Sequence, residues 1–188
     1  MDVIEAVRAR RSVGKVDGEV SRDEIRDLIE AATWAPNHHL TEPWKFVVLT
    51  GAARESLGAL WAKISADECG ITGPEREDFI EGTRRKALRA PVLIVVSTRT
   101  DDDPIVAAED FAATAAAVQN MLLAATAKGL GAMWRTGGMV YNAEVKRHLG
   151  LDERDRIVAV VYVGRPKTDP PKPQERKLDE VVRWLDAG

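Results

Sequence analysis

The run IVAAEDFAATAAAVQNMLLAATAKGLGAMWRT, residues 105–136, decides how this chain is put together. Its first part is Ala-rich, and Phe111, Ala115, Val118, Leu122 and Ala125 recur at helical spacing, so the longest helix is expected from Ile105 to Lys128. Gly129 is its expected C-terminal stop. Small residues surround this helix on most sides, which predicts burial on several faces, at the centre of the domain or against a second subunit, and a homodimer seam is expected there. Beyond the stop, Gly131 to Trp134 reads as a strand. The order of helix, Gly129-Leu130-Gly131 and strand is the reverse of a Rossmann site, where the glycine-rich turn follows a strand and opens a helix.

Working outward from this run, Asp2 to Ala9 reads as a short opening helix with Val3, Ile4 and Val7 on one face. Ser21 and Glu24 form a capping box, and Ile25, Leu28, Ile29 and Ala32 follow at helical spacing, predicting a helix from Arg22 to Thr33. Trp44 to Leu49 is rich in aromatic and branched residues and reads as a buried strand. A third helix carries Leu57, Leu60, Trp61 and Ile64. The charged segment from Cys69 to Arg89 reads as a surface excursion containing a helix over Glu75 to Leu88. Pro91 to Val96 is a strand, and Asp101-Asp102-Asp103-Pro104 is a solvated turn, since the other ligands of a calcium loop are missing. A short helix is expected over Asn142 to Leu149 and a strand over Ile157 to Val163. Pro166 to Pro173 is a connector, after which Val181, Val182, Trp184 and Leu185 supply apolar side chains that dock on something, a partner subunit being the natural candidate. Strands alternating with helices point to a central sheet covered on both faces.

Composition narrows the function. At 188 residues the chain suits one domain, and 27 Lys and Arg against 30 Asp and Glu leave a net charge of -3, with no field to attract nucleic acid or an anionic membrane. One cysteine, Cys69, allows no internal disulfide and fits a reducing compartment. The N-terminus lacks an apolar signal core and no run approaches a membrane span, so a soluble, cytoplasmic protein is expected. His38, His39 and His148 lack HExxH spacing, and adjacent His38 and His39 would diverge in an extended chain, so no metal site is expected. Neither a GxxxxGK[ST] loop nor a GxSxG elbow is present.

Four polar features remain: Arg10-Arg11-Ser12, the loop from Pro36 to Trp44, the strand end Trp134-Arg135-Thr136-Gly137, and Glu175-Arg176-Lys177 in the tail. Arginines followed by a hydroxyl suit a phosphate, whose oxygens accept several charge-assisted hydrogen bonds, but the same residues also suit a solvated basic helix end. Trp134 and Arg135 are open to a similar pair of readings, a core Trp and a surface charge.

These features in this order resemble the FMN-dependent nitroreductase family. The resemblance runs over essentially the whole chain: Arg10-Arg11-Ser12 after the opening helix, Ala35-Pro36 leading to Glu42-Pro43-Trp44-Lys45-Phe46, the Ala-rich helix with Gln119-Asn120, the segment Gly129 to Thr136, and the exit Val163-Gly164-Arg165-Pro166. It is strongest for the short, YdjA-like NAD(P)H nitroreductases, in which a Trp-Arg-Ser/Thr triplet stands at the corresponding strand end. The resemblance implies an α+β fold with a central mixed, mostly antiparallel sheet flanked by helices, and a homodimer with FMN at each subunit interface. It implies that Arg10, Arg11 and Ser12 hold the ribityl phosphate and flavin edge, and that Trp134, Arg135 and Thr136 line the isoalloxazine and phosphate. Trp34 and His38 match positions that reach the flavin from the other subunit, and Arg176 matches a basic tail residue on the phosphate. The implied activity is electron transfer from NADH or NADPH through FMN to a nitroaromatic, quinone or similar small-molecule acceptor, with ping-pong turnover and the flavin carrying the chemistry. A flavin-binding or flavin-sensing dimer without efficient turnover is the alternative.

Two positions depart from the pattern. Gly14 stands where many members carry a basic residue near the flavin pyrimidine, which leaves Arg135 or Arg11 as the cation for the reduced state, and Leu40 with Glu42 replaces a common Asn and Gln. His38 is a candidate for hydrogen bonding to flavin or for proton donation, and the segment from Cys69 to Arg89 is a candidate pocket lid and source of specificity.

Overall fold

The computed structural model describes residues 1–174 and 176–185. Glu175 and the last three residues of the expected 166–188 tail therefore lie outside the described residues. The chain begins with α1 (Val3–Ala9), whose capping box pairs Asp2 with Glu5, and the two-residue strand β1 (Val16–Asp17) follows. Helix α2 (Arg22–Thr33) starts as read, with Ser21 accepting from the Glu24 amide and Glu24 reaching back to the Ser21 amide. Then come β2 (Trp44–Leu49), α3 (Gly51–Glu68), α4 (Glu75–Arg84), β3 (Val92–Thr98) and α5 (Pro104–Ala127). The chain closes with β4 (Gly131–Arg135), α6 (Ala143–His148) and β5 (Arg156–Pro166).

The class is α+β, and the described strand pairings are all antiparallel. Strand β5 lies between β3 and β4, β2 pairs with the far edge of β3, and β1 pairs with the end of β5 at Arg165 and Pro166. The continuous apolar runs of β3 and β5 follow from burial on both sheet faces. Val92, Ile94, Val96, Ala159, Val161 and Val163 pack under α2 and α5, while Leu93, Val95, Ile157, Val160 and Tyr162 pack with residues of α3.

Three expectations need correction. The buried stripe of α5 is Asp110, Ala113, Thr114, Ala117, Val118, Met121, Leu122 and Ala125, so Phe111 and Ala115 stand at its margin, only partly buried. An Ala-rich helix offers nearly equal faces, and the packing partners choose among them. The helix expected to reach Leu88 ends at Arg84 and continues as turns. His38 and His39 do not sit in extended chain: a single 3-10 turn, His38–Leu40, stacks their rings 3.9 Å apart.

Two glycines position the site elements. A Cβ on Gly131 would stand 2.6 Å from Val16 Cγ1, so its absence lets the segment after α1 lie directly on β4. A Cβ on Gly58 would stand 2.8 Å from the Arg84 carbonyl oxygen, so α3 and α4 cross closely at that point.

Candidate functional site

Strand β4 is the reference element. The Val13 amide donates to the Ala132 carbonyl at 3.0 Å, which fixes Arg10-Arg11-Ser12 beside the strand that carries Trp134 and Arg135. Arg10 caps α1, its amide donating to the Ala6 carbonyl. Arg11 is engaged by main chain: its guanidinium donates to the carbonyls of Arg8 and Arg10 at 2.7 Å each, and to that of Pro171 in the tail at 3.1 Å. Two acceptors at the end of α1 and one in the tail leave Arg11 as a clamp between helix and tail, satisfying carbonyls at the negative end of the helix dipole. Ser12 is exposed, and Gly14 lies against the Met133 side chain.

The tail passes the same place. Val7, Arg8, Arg10, Arg11, Pro173 and Arg176 line a groove of about 420 Å³. Four arginines with no carboxylate among the described lining residues form a donor set suited to a phosphate dianion. Arg176, distant in sequence, is thereby brought together with Arg10 and Arg11.

The strand-end triplet divides. Trp134 packs with the α2 and α5 core, its indole donating to the Val158 carbonyl at 3.1 Å. Arg135, one residue on, points to the other face as strand alternation requires, with its guanidinium carbon 5.3 Å from the Tyr162 ring centroid. Arg135 and Thr136 line a cavity with Trp61, Lys86 and Tyr162. Burial raises the Tyr162 phenol above its ordinary value, while the charges of Arg135 and Arg89 pull it the other way.

Trp34 and His38 lie elsewhere in the chain. Trp34 is 79% exposed and edges an apolar groove with Met1, Val3, Ala6, Leu123 and Ala124. His38 hydrogen-bonds Glu109 of α5 at 2.6 Å, beside a second groove with Asn37 and Ala113. Among the described residues, neither Trp34 nor His38 lines the groove of Arg10 and Arg176 or the cavity of Arg135.

Sequence reading missed the fastening of the His38 loop. His39, Leu40 and Glu42 adopt φ of 53°, 52° and 42°, a left-handed backbone that costs side-chain-bearing residues roughly 1–2 kcal/mol each. Thr41 donates to buried Asp110 at 2.6 Å and the Glu42 amide donates to Asn37 at 3.0 Å, holding the loop in that shape. An Asp within an otherwise Ala-rich stripe was the available signal. Lys86 and Tyr162 were also missed, one hidden in a charge-dense excursion and the other in an apolar strand. Among the described residues no group of three or more His, Cys, Asp or Glu could hold a metal, and no helix is long and apolar enough to cross a membrane.

An antiparallel sheet with these helices, arginines grouped at the end of α1 and a Trp-Arg-Thr strand end define a nitroreductase-type α+β domain. The chain belongs to the Nitroreductase family, whose profile matches residues 7–165. Its relatives include the "Putative NAD(P)H nitroreductase YfhC" of Bacillus subtilis, 32% identical over 87% of this chain and 84% of that protein. The "Putative NAD(P)H nitroreductase YdjA" of Escherichia coli K12 is 28% identical over 89% of this chain and 90% of its own length, in keeping with the YdjA-like branch. Among solved structures, a "putative nitroreductase in complex with FMN" from Desulfovibrio desulfuricans superposes with a TM-score of 0.74 at 28% identity, covering 100% of this chain and 98% of that one.

Proposed function

We propose that this protein is a cytoplasmic, homodimeric, FMN-dependent NAD(P)H oxidoreductase that reduces small electron-poor acceptors such as nitroaromatics or quinones. The observation that carries the reading is the joining of Arg10 and Arg176 in one groove with no carboxylate among its described lining residues. When bound, FMN would supply the two-electron redox chemistry that links NADH or NADPH to the acceptor, with ping-pong turnover expected. Arg10 and Arg176 hold the phosphate, Ser12 adds a hydroxyl donor, and Arg11 keeps helix and tail in place around them. Trp134 backs the strand from the core side, and Arg135 with Thr136 places donors at its end. Trp34 and His38 serve the site of the second subunit.

The dimer accounts for the apolar surface of a single chain. Val3, Ile4 and Val7 of α1 are at least half exposed, as are Trp34, Val181, Trp184 and Leu185. Val3 and Trp34 edge one apolar groove, which supports an association surface there, and the exposed apolar side chains of the tail would cross to the partner.

The test is a visible spectrum of the purified protein, before and after soaking with FMN and desalting, followed by anaerobic NADH or NADPH. Flavin bands that bleach with nicotinamide and return on adding a quinone or nitroaromatic are expected. Retained flavin that stays oxidised would favour a flavin-binding dimer, and no retained flavin would end the FMN reading. Light scattering should give twice the chain mass.

A further inference from the structure

The loop that carries His38 is held in a costly shape from one helix. Its entry is fixed by the Ala35 amide, which donates to the Ala32 carbonyl at 3.1 Å, and its exit by the Pro43 carbonyl, which accepts from the Arg99 amide at 3.0 Å. Between these points His39, Leu40 and Glu42 all take a left-handed backbone without a glycine among them. Consecutive residues of α5 fasten both halves of the turn, Glu109 through His38 and Asp110 through Thr41, each at 2.6 Å.

Asp110 is the unusual member of this pair. It is 2% exposed, in a buried stripe of α5 otherwise made of Ala, Thr, Val, Met and Leu. One of its oxygens accepts from Thr41, and Oδ2 is buried without a partner among the described residues. Apolar side chains at both places would seat the loop at little cost and with no orphaned oxygen. The polar pair therefore contributes direction: a hydrogen bond fixes where Thr41 sits, and with it the turn, which an apolar contact would leave free to slide. Backbone strain held in this way clusters at ligand clamps and active sites. The turn presents His38, with a side chain 58% exposed, and Leu40, 83% exposed, and among the described residues neither lines the arginine groove of its own chain.

We propose that Asp110 is a positioning residue: acting through Thr41, it sets the turn that offers His38 to the flavin site of the second subunit. The inference rests on the oxidoreductase reading for the flavin, and on the loop geometry alone for the latch. Glu109 orients the His38 ring from the neighbouring position of α5, so one rigid helix sets both the path of the turn and the direction of its side chain.

FMN titration reads the position: Thr41→Val should weaken FMN about two- to tenfold, and Thr41→Ser, which keeps the hydroxyl, should retain wild-type affinity. Hydrogen exchange in the FMN-free protein reads the latch. Thr41→Val should speed exchange of the amides of residues 41 and 42, which bond to His38 and Asn37, by about the same factor, and Thr41→Ser should not. Adding Asp110→Ala to Thr41→Val removes the orphaned carboxylate, so the melt should recover in part while FMN affinity stays low, a split that a merely structural contact would not give. A mixed dimer of one Arg10→Ala chain and one Thr41→Val chain should keep one site of wild-type affinity, because both defects fall on the other. Two weakened sites would mean that the turn serves its own chain and would overturn the inference. So would unchanged exchange or unchanged FMN affinity in Thr41→Val, or affinity that returns with stability in the double variant. A wild-type protein that retains no FMN would overturn the oxidoreductase reading and this inference together, whereas each of the other outcomes overturns this inference alone.

Discussion

Replacing Gly131 by alanine tests the idea that close backbone approach at β4 builds the phosphate groove. The added Cβ would stand 2.6 Å from Val16 Cγ1 and 3.1 Å from Val13 Cγ1, so the segment must retreat by about 0.8 Å at Val16 to reach ordinary contact near 3.4 Å. Overpacking of this size costs about 1–3 kcal/mol. For a domain of this length that lowers the melting temperature by roughly 2–4 °C per kcal/mol, about 2–12 °C in all. The retreat also strains the Val13 amide to Ala132 carbonyl bond that anchors Arg10 and Ser12. Losing one charge-assisted contact to a phosphate, about 1.5–3 kcal/mol, should weaken FMN binding roughly ten- to hundredfold. Thermal melts and FMN titrations read the two effects separately. Val16→Ala removes the nearest clashing methyl, so the double variant Gly131→Ala/Val16→Ala should be more stable than the two single losses added together. A wild-type melting temperature for Gly131→Ala, or strict additivity in the double variant, would refute the reasoning.

Arg11→Ala should destabilise the FMN-free protein by about 1–2 kcal/mol, because three carbonyls lose their donor, whereas Arg10→Ala should leave the melt near wild type and weaken FMN. Lys45 pairs with both oxygens of buried Asp155 at 2.8 and 2.9 Å, so Lys45→Met should cost about 1–3 kcal/mol in urea unfolding, and adding Asp155→Asn should recover part of it. Tyr162 has its phenol raised by burial, so its contribution to stability is complete below the unfolded value near about pH 10 and is lost as pH rises through the higher folded value. Urea midpoints at about pH 9 and about pH 11 should therefore converge more closely in Tyr162→Phe than in wild type. Thr41→Val removes a donor from buried Asp110 and should destabilise by about 1–3 kcal/mol, with a larger rise in KM than fall in kcat if the His38 loop positions substrate.

Much of the fold could be read from short-range chemistry. The Ser21 and Glu24 capping box fixes the start of α2 whatever surrounds it, and the apolar runs of β3 and β5 require burial on both faces. Arg10-Arg11-Ser12 and Trp134-Arg135-Thr136 stood out as chemistry-bearing because their order along the chain matches a family pattern. Their individual roles could not be read in the same way. Two adjacent arginines are equivalent in sequence; both line the groove, and only the carbonyls of Arg8, Arg10 and Pro171 show that Arg11 also clamps the main chain.

The sequence by itself determined what local rules control: helix starts, strand candidates, the absence of a Rossmann turn, and the set of arginines available to an anion. Tertiary structure decided which face of α5 is buried, where α4 stops, and which distant groups meet. Arg176 joins Arg10, Asp110 fastens Thr41, and Lys86 shares a cavity with Tyr162 because chain crossings at Gly131 and Gly58 and the packing of α5 bring them together. Period and propensity act over a few residues, whereas these meetings depend on contacts between segments that sequence spacing does not encode.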